Sequence, residues 1–408
     1  MGELVGISTD LLATFGAPQR KSFYAAGRFW VFYSDGTNMV YRTSTDGIKW
    51  EDPIIIRECS QGFLFSIWFD ETYLHYAYSS EDETDPLYYR RGTPESDGTI
   101  DWSGVPVQTA VVGALNVSYY YPIVSVDSNG YPWIGYTRRD LTGWFPFATR
   151  SDNNNGTWSG IEVPDQLSVV SRLRFVSVVP LTGGEMLAVY AGYVSRVNAR
   201  RWNGAIWGIE LSTSSKVFLP HQFNAGAEGD DVHLVFLSII YSLVYVKYDY
   251  SSNSFMAEKN LLTGTSGWPS PVLSICKNNN LYVFWGGYPE ANTVYYFIYT
   301  AKKDTWGPVV KWKSEEKLYV NSLTCFYKQY SDYTGLAYMT NSTSPYKVKF
   351  NYIGPPPTPE PKVESQKLTG GGSRHTTPKQ GSIGKRQSFK NTRISRHITW
   401  VPVVITRA

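Results

Sequence analysis

A hairpin signal followed by an aromatic residue recurs at nearly constant spacing along this 408-residue chain, and no other feature restricts its fold as strongly. STDGIKW ends at Trp50, SDGTIDW at Trp102, DNNNGTW at Trp158, WNGAIW at Trp207, YSSNSF at Phe255 and KKDTW at Trp306, at intervals of 52, 56, 49, 48 and 51 residues. A period near 50 in units of strand-like residues marks a radial or stacked repeat. Each unit reads as four short strands rich in Tyr, Val, Ile, Phe and Trp, separated by Asn, Asp, Gly or Ser clusters. Around Trp50 these are KSFYAAG, RFWVFYSDG, TNMVYRTSTDG and KWEDPIII. Four antiparallel strands per repeat make one propeller blade. Within a blade, the Asp46-Gly47 turn is expected to join the third strand to the fourth, with Trp50 starting the fourth.

Six copies are complete. A seventh begins at VNSLTCFYKQYSD (320–332), continues through YTGLAYMTN and PYKVKFNYI, and stops at GPPPTPEP with three strands. ELVGISTDLL (3–12) precedes the first strand of the first unit and is expected to supply the missing outer strand, closing the ring and removing two open sheet edges. The expectation is therefore all-β: a seven-bladed β-propeller over 1–353, with a six-bladed ring and a discarded half-repeat as the alternative. Aromatics at 16 % of the chain suit wedge-shaped packing between blades. The longest apolar run, VHLVFLSIIYSLVYV (232–246), is interrupted by His233, Ser238 and Ser242 and is short for a bilayer span. It reads as two paired strands of blade five, so no transmembrane segment is expected.

STDGIKW resembles a shortened Asp-box, the Ser-x-Asp-x-Gly-x-x-Trp hairpin of the sialidase-like propellers, and the repeat pattern carries that resemblance across 1–353. SDGTIDW and DNNNGTW support it in part. The resemblance implies that Ser44, Asp46, Gly47 and Trp50 are scaffold, on the face opposite an active site. It also implies three arginines gripping a carboxylate, a Tyr nucleophile activated by a Glu, and an acidic Asp. The place of the first arginine reads APQRKSFY, which offers Arg20 without the surrounding pattern. Arg57, Arg172 and Arg174, with Glu58, Asp127 and Glu228 as acids, fall at no diagnostic position, so the catalytic set does not carry over.

Other chemistries have less support. His75, His221, His233, His375 and His397 include no pair at metal-ligand spacing, so no metal site is expected. Cys59, Cys276 and Cys325 form no CxxC, and their odd count argues against a disulfide framework. No phosphate loop, HExxH or GxSxG occurs, and no cofactor is implied. MGELVGISTDLL has neither the basic region nor the apolar core of a secretory signal.

The residues after 353 differ in kind. GPPPTPEP (354–361) is a semi-rigid proline-rich linker. The following segment, 362–408, is basic and of low complexity up to Arg396. Residues 354–408 hold ten Lys and Arg against two Glu, a net of +8, whereas the whole chain is +3, which leaves −5 on 1–353. ITWVPVVITR (398–407) then turns apolar and β-branched, a strand that would aggregate if left exposed. Three destinations fit this arm. Nucleic acid is disfavoured, since only Phe389 and Trp400 offer stacking platforms. Folding back on the acidic ring is the second. The third, strand addition to a neighbouring subunit or another structural protein, uses all three parts. Lys385, Arg386, Lys390 and Arg393 would attract a partner, and Ile398, Trp400, Val403, Val404 and Ile405 would hold it.

The loops expected opposite the Asp-box are aromatic: NVSYYYP with Tyr119 and Tyr120, LTGWFPF with Trp144 and Phe145, SGWPSP with Trp268, and FWGGYPEAN with Trp285 and Tyr288. With Arg172 these are candidates for stacking on a glycan; the competing reading packs them between blades. The sequence thus points to a non-catalytic recognition or display propeller, glycan- or protein-binding, anchored through its arm to an extracellular surface or virion-type assembly. The alternative is an exo-acting, sialidase-like glycoside hydrolase, which would need carboxylates and arginines clustered at the pore mouth.

Overall fold

Seven antiparallel sheets of four-stranded plan surround a central axis in the computed structural model, which describes residues 1–356 apart from 81, 83, 105, 162, 163, 266–268, 341 and 342. The last described strand is Tyr346–Ile353, and the expected linker and arm lie almost wholly outside the described residues. Each sheet runs from an innermost strand outward. The innermost strands of blades one to seven are Ser22–Ala25, Phe65–Phe69, Ser118–Val126, Leu173–Pro180, Phe223–Glu228, Val272–Ile275 and Thr324–Cys325. Blade five shows the pattern well: Asp231–Leu237 pairs with Leu243–Asp249 through the turn at 238–242, as the 232–246 run implies.

The N-terminal strand β1 (Glu3–Ser8) pairs antiparallel with Tyr346–Ile353 as the outer strand of blade seven, so the ring closes by joining the two ends of the propeller sequence. Gly2 and Gly6 allow this closeness. A Cβ at either would fall 2.1 Å from a tyrosine hydroxyl, that of Tyr338 or Tyr33.

The recurring aromatic does not begin the main outer strand. Trp50 lies in the connection between Asn38–Ser44 and Ile54–Glu58, while Ser254–Phe255 and Thr305–Trp306 are two-residue arms that precede the longer outer strands Lys259–Leu262 and Val310–Ser314. The reason is packing between blades. Trp50 of blade one meets Phe350 of blade seven at 5.3 Å between ring centroids. Trp158 of blade three meets Tyr89 of blade two at 5.5 Å, Trp207 of blade four meets Trp133 of blade three at 5.9 Å, and Trp306 of blade six meets Tyr245 of blade five at 4.9 Å. In these four repeats the aromatic fills the wedge toward the preceding blade, which is why it keeps a fixed distance from the turn, whereas Phe255 meets Tyr248 of its own blade at 6.3 Å.

The turn itself is closed by its own side chains. Ser44 Oγ accepts from the Gly47 amide at 2.8 Å, and Asp46 Oδ1 accepts from the Ile48 and Lys49 amides at 2.8 Å each. Gly47 has φ +71°, and a Cβ there would press on the Tyr352 ring.

Candidate functional site

The two ends of the ring differ. At the end where the inner strands begin, the axis is filled by residues 9–21, which connect β1 to the first inner strand. Gln19 Nε2 donates to the carbonyls of Phe63 and Pro122 at 2.9 and 3.0 Å. Arg20 is 4 % exposed; Nη1 donates to Leu273 O at 2.9 Å and Cys325 Sγ at 3.1 Å, and Nη2 to Asn224 Oδ1 at 2.6 Å. Lys21 Nζ donates to Gly62 O and Phe65 O at 2.7 Å each and lies 3.7 Å from the Phe65 ring centroid. Burial pushes its pKa well below the ordinary lysine value. Phe15 packs on His221 at 4.6 Å. One short segment thus binds blades two, three, five, six and seven together. Arg20 cannot act as a substrate-gripping arginine, because its donors are taken by neighbouring strands.

The sequence-selected aromatics divide. Tyr119 is buried against Tyr136, its hydroxyl donating to Val112 O at 2.9 Å, and Trp285 is fully buried between Tyr295 and Phe297. Both are core residues, which corrects their reading as ligand platforms. Inter-blade packing covers both faces of these strands, so a residue one step from a loop is already inside. Tyr288 is half-buried, and its carbonyl accepts from the Trp285 indole at 2.9 Å. Phe145 is half-buried against the core of blade three. Tyr120 is also buried, at 9 % exposure, and comes together with the half-buried Trp144 and the exposed Arg172. The Tyr120 and Trp144 rings are 5.0 Å apart, and the Arg172 amide donates to Trp144 O at 2.8 Å. Arg174 lies 3.9 Å from the Trp144 ring centroid, so that indole already has a cation over it. Trp268 lies outside the described residues.

The opposite end, where the inner strands finish, is open. A cavity of about 470 Å³ is lined there by six of the seven blades, blade one being the exception. Such a volume falls in the range of small-molecule sites, roughly 300–1,000 Å³. Trp68 and Tyr327, 9 % and 6 % exposed, lie tilted at 51° in its wall with ring centroids 4.1 Å apart, and the Tyr327 hydroxyl is fixed by the Ala227 amide and carbonyl at 2.8 and 2.9 Å.

The polar rim comes from the turns between first and second strands. Asp70 Oδ1 accepts from the Thr72 and Tyr73 amides and Oδ2 meets His75 Nε2 at 2.9 Å, while His75 Nδ1 meets the Tyr89 hydroxyl at 2.7 Å. Although burial opposes it, the bonds from His75 and the two amides hold the Asp70 carboxyl below its ordinary pKa. Asp127 repeats the arrangement one blade on: Oδ1 accepts from the Asn129 and Tyr131 amides, and Oδ2 from the Trp133 indole at 2.9 Å. In both blades a ring N–H of the second strand returns to the turn, so the Asp–His contact is a device of the fold rather than a catalytic pair. Lys328 pairs with Glu71 at 2.6 Å and Lys277 with Asp332 at 2.5 Å. The rim is strongly polar, and its two lysines are paired in place with carboxylates. Among the described residues no group of His, Cys, Asp and Glu could hold a metal ion, and no helix is long and apolar enough to cross a membrane.

No family model matches this sequence, and no curated protein matches it either. Solved structures do. An ulvan lyase, a polysaccharide lyase bound to -[GlcA(1-4)Rha3S]-, superposes with a TM-score of 0.57 at 12 % identity, covering 86 % of this chain and 96 % of its own. A second ulvan lyase structure of the same polysaccharide lyase family gives 0.56 at 11 % identity, covering 87 % and 96 %. The fucose-binding lectin of Aleuria aurantia gives 0.42 at 14 % identity, covering 73 % and 97 %, a likeness too low to carry an argument. What is shared is the propeller fold.

Sequence reasoning missed the cavity and its wall residues Trp68 and Tyr327, as well as Tyr193, half-exposed with Arg174 at 5.2 Å from its ring. Tyr193 carried a usable signal, since it follows Gly192 directly at the end of the strand-like run Met186–Gly192. The cavity carried none. Its residues stand about 50 positions apart, each ordinary where it stands.

Proposed function

We propose that the ring is a non-catalytic recognition module that takes the end of an uncharged saccharide in the cavity walled by Trp68 and Tyr327. That pair of rings beside a hydrogen-bonding rim is the observation behind the reading: aromatic faces pack on sugar C–H groups, and carboxylate, amide and ammonium groups meet hydroxyls. Because Lys328 and Lys277 already hold carboxylate partners, a charged ligand would have to displace an ion pair. A glycosidase would need one carboxyl group held protonated, whereas Asp70, beside the cavity, is held ionised by His75 and two backbone amides. The hairpin at Ser44, Asp46, Gly47 and Trp50 is scaffold of Asp-box type in this reading.

Titration calorimetry against a panel of neutral and acidic oligosaccharides tests it. Trp68→Ala should lower affinity for a neutral ligand by about tenfold or more, and Lys328→Ala, on the exposed rim, should change it with folding intact. Undiminished binding by a folded Trp68→Ala protein would remove the cavity from the reading, and turnover of the ligand would return the hydrolase alternative.

The arm completes the proposal as an anchor to a larger assembly. Removing 397–408 should leave a folded ring that no longer co-sediments with that assembly, whereas neutralising Lys385, Arg386, Lys390 and Arg393 should mainly slow its association. Normal incorporation of the truncated chain would count against the terminal strand as the anchor.

A further inference from the structure

The plugged end carries a second surface, along blades three to five. Leu141 and Val169 are 84 % exposed and Ile240 68 %, with Val170, Val194 and Tyr193 also exposed. They occupy successive turns at one end of the ring: the second-to-third strand turns of blades three, four and five, and the connection into blade four. These turns are bound to one another. Arg172 donates to Trp144 O, Val194 to Phe218 O at 3.1 Å and Ile239 to Lys216 O at 2.9 Å, while Arg174 spans from Trp144 to Tyr193. Monomeric proteins seldom present so many aliphatic side chains on one face without a partner.

Charge selects the partner. Segments 138–144, 169–174, 192–196, 214–218 and 238–242 contain six Arg and Lys and one acidic residue, a net of +5 that Glu258, accepting from the Ser214 and Ser215 amides, reduces to +4 on a ring that is −5 as a whole. Arg139, Arg172, Arg196 and Lys216 among them are exposed, and no carboxylate among the described residues forms an ion pair with any of the four. The terminal segment 398–407 of this chain is apolar enough to cover the rim, but it arrives on an arm of net +8 and would meet like charge. A saccharide would satisfy the arginines and leave Leu141, Val169 and Ile240 in water. An anionic lipid surface satisfies both: its headgroups attract clustered Arg and Lys, and its acyl boundary takes the aliphatic tips, with Tyr193 and Tyr241 at the level where amphipathic rings settle. We propose that the blade three to five rim docks the ring onto an anionic lipid surface, leaving the axial cavity at the far end facing solution.

The test is co-sedimentation of the full chain with vesicles of phosphatidylcholine alone or with one-third phosphatidylserine, at low salt and at about 1 M salt, where the Debye length is about 3 Å. The basic arm contributes at low salt only, so the aliphatic tips are read at high salt. Wild type should prefer the phosphatidylserine vesicles and keep part of its binding at high salt. The double variant Leu141→Ser/Ile240→Ser should lose that salt-resistant part by about tenfold or more, and Arg139→Ser/Arg172→Ser should lose the headgroup preference contributed by the rim. Equal high-salt binding by wild type and the aliphatic variant overturns the proposal. So does the absence of vesicle binding together with a self-association that the same variant abolishes, which would make the rim an interface between copies. Binding to acidic glycans that needs the arginines but not the aliphatic tips would also overturn it.

Discussion

Deletion of residues 1–12 will lower the thermal midpoint of the ring by about 10 °C or more. Three buried side chains dominate the estimate. Val5 of β1 is lost outright, and Val348 and Phe350 on the strand it covers, each fully buried, become reachable by water. At about 1.5–3 kcal/mol for each side chain, the change is roughly 5–8 kcal/mol, and for a ring of this size each kcal/mol moves the midpoint by about 2 °C. Polar contacts add to this. Lys349 Nζ donates to Gly2 O at 2.9 Å, and the Asp10 carboxylate accepts from the Gly62 amide of blade two at 2.9 Å. Tyr346–Ile353 would also become an open edge, so the truncated chain should aggregate near its midpoint. Ala13–Lys21 remain in this variant, so the plug keeps Phe15, Gln19, Arg20 and Lys21 and loses only its first four residues, and the loss falls mainly on closure of the ring. A calorimetric midpoint equal to that of the full chain would mean that β1 is dispensable.

The blades and their closure were legible in the sequence because both rest on periodicity. A turn signal, an aromatic and four strand-like runs repeat until one unit comes up a strand short at 353, and ELVGIS is the only spare strand. The plug was not legible. APQRK has no period and no motif, and the role of Arg20 depends on Leu273, Asn224 and Cys325, which lie between 204 and 305 positions away. Trp285 was misread for a local reason: FWGGYP looks like a loop, but Trp285 and Gly286 are the last two residues of the strand Leu281–Gly286, and the loop starts after them. The aromatic loops with Tyr120, Trp144 and Arg172 pointed to the end of the ring that residues 9–21 fill. That end is sealed at its axis, and the room for a ligand lies at the other, which only the folded ring could reveal.

Acidification should destabilise this ring more steeply than its carboxylates explain, because two histidines are buried without a partner for an added proton. His221 lies against Phe15 and Phe175, and burial pushes its pKa down to about 3. His233 shares Nδ1 with the Tyr245 hydroxyl at 2.8 Å, and burial, with the Lys247 charge assisting, lowers its pKa to about 4. Nε2 of each ring is buried with no hydrogen-bond partner. Both folded values lie below the unfolded value of about 6.5, so the unfolded chain takes up these protons first. Stability is therefore complete above about pH 6.5 and falls as the pH drops toward the folded values. Between about pH 7.5 and pH 4.5 each histidine should remove roughly 2–3 kcal/mol, about 5 kcal/mol together. The carboxylates held low by their turns, Asp70 and Asp46 among them, lose their contribution only below about pH 4, outside that window. Urea unfolding at the two pH values measures the sum, and His221→Phe separates the parts. A phenyl ring fits between Phe15 and Phe175 and takes no proton, so the variant should lose about 2–3 kcal/mol of the wild-type pH dependence, the rest staying with His233 and with His75, whose pKa burial also lowers. If His221→Phe keeps the full dependence, the buried imidazole beside the plug is not where acid acts.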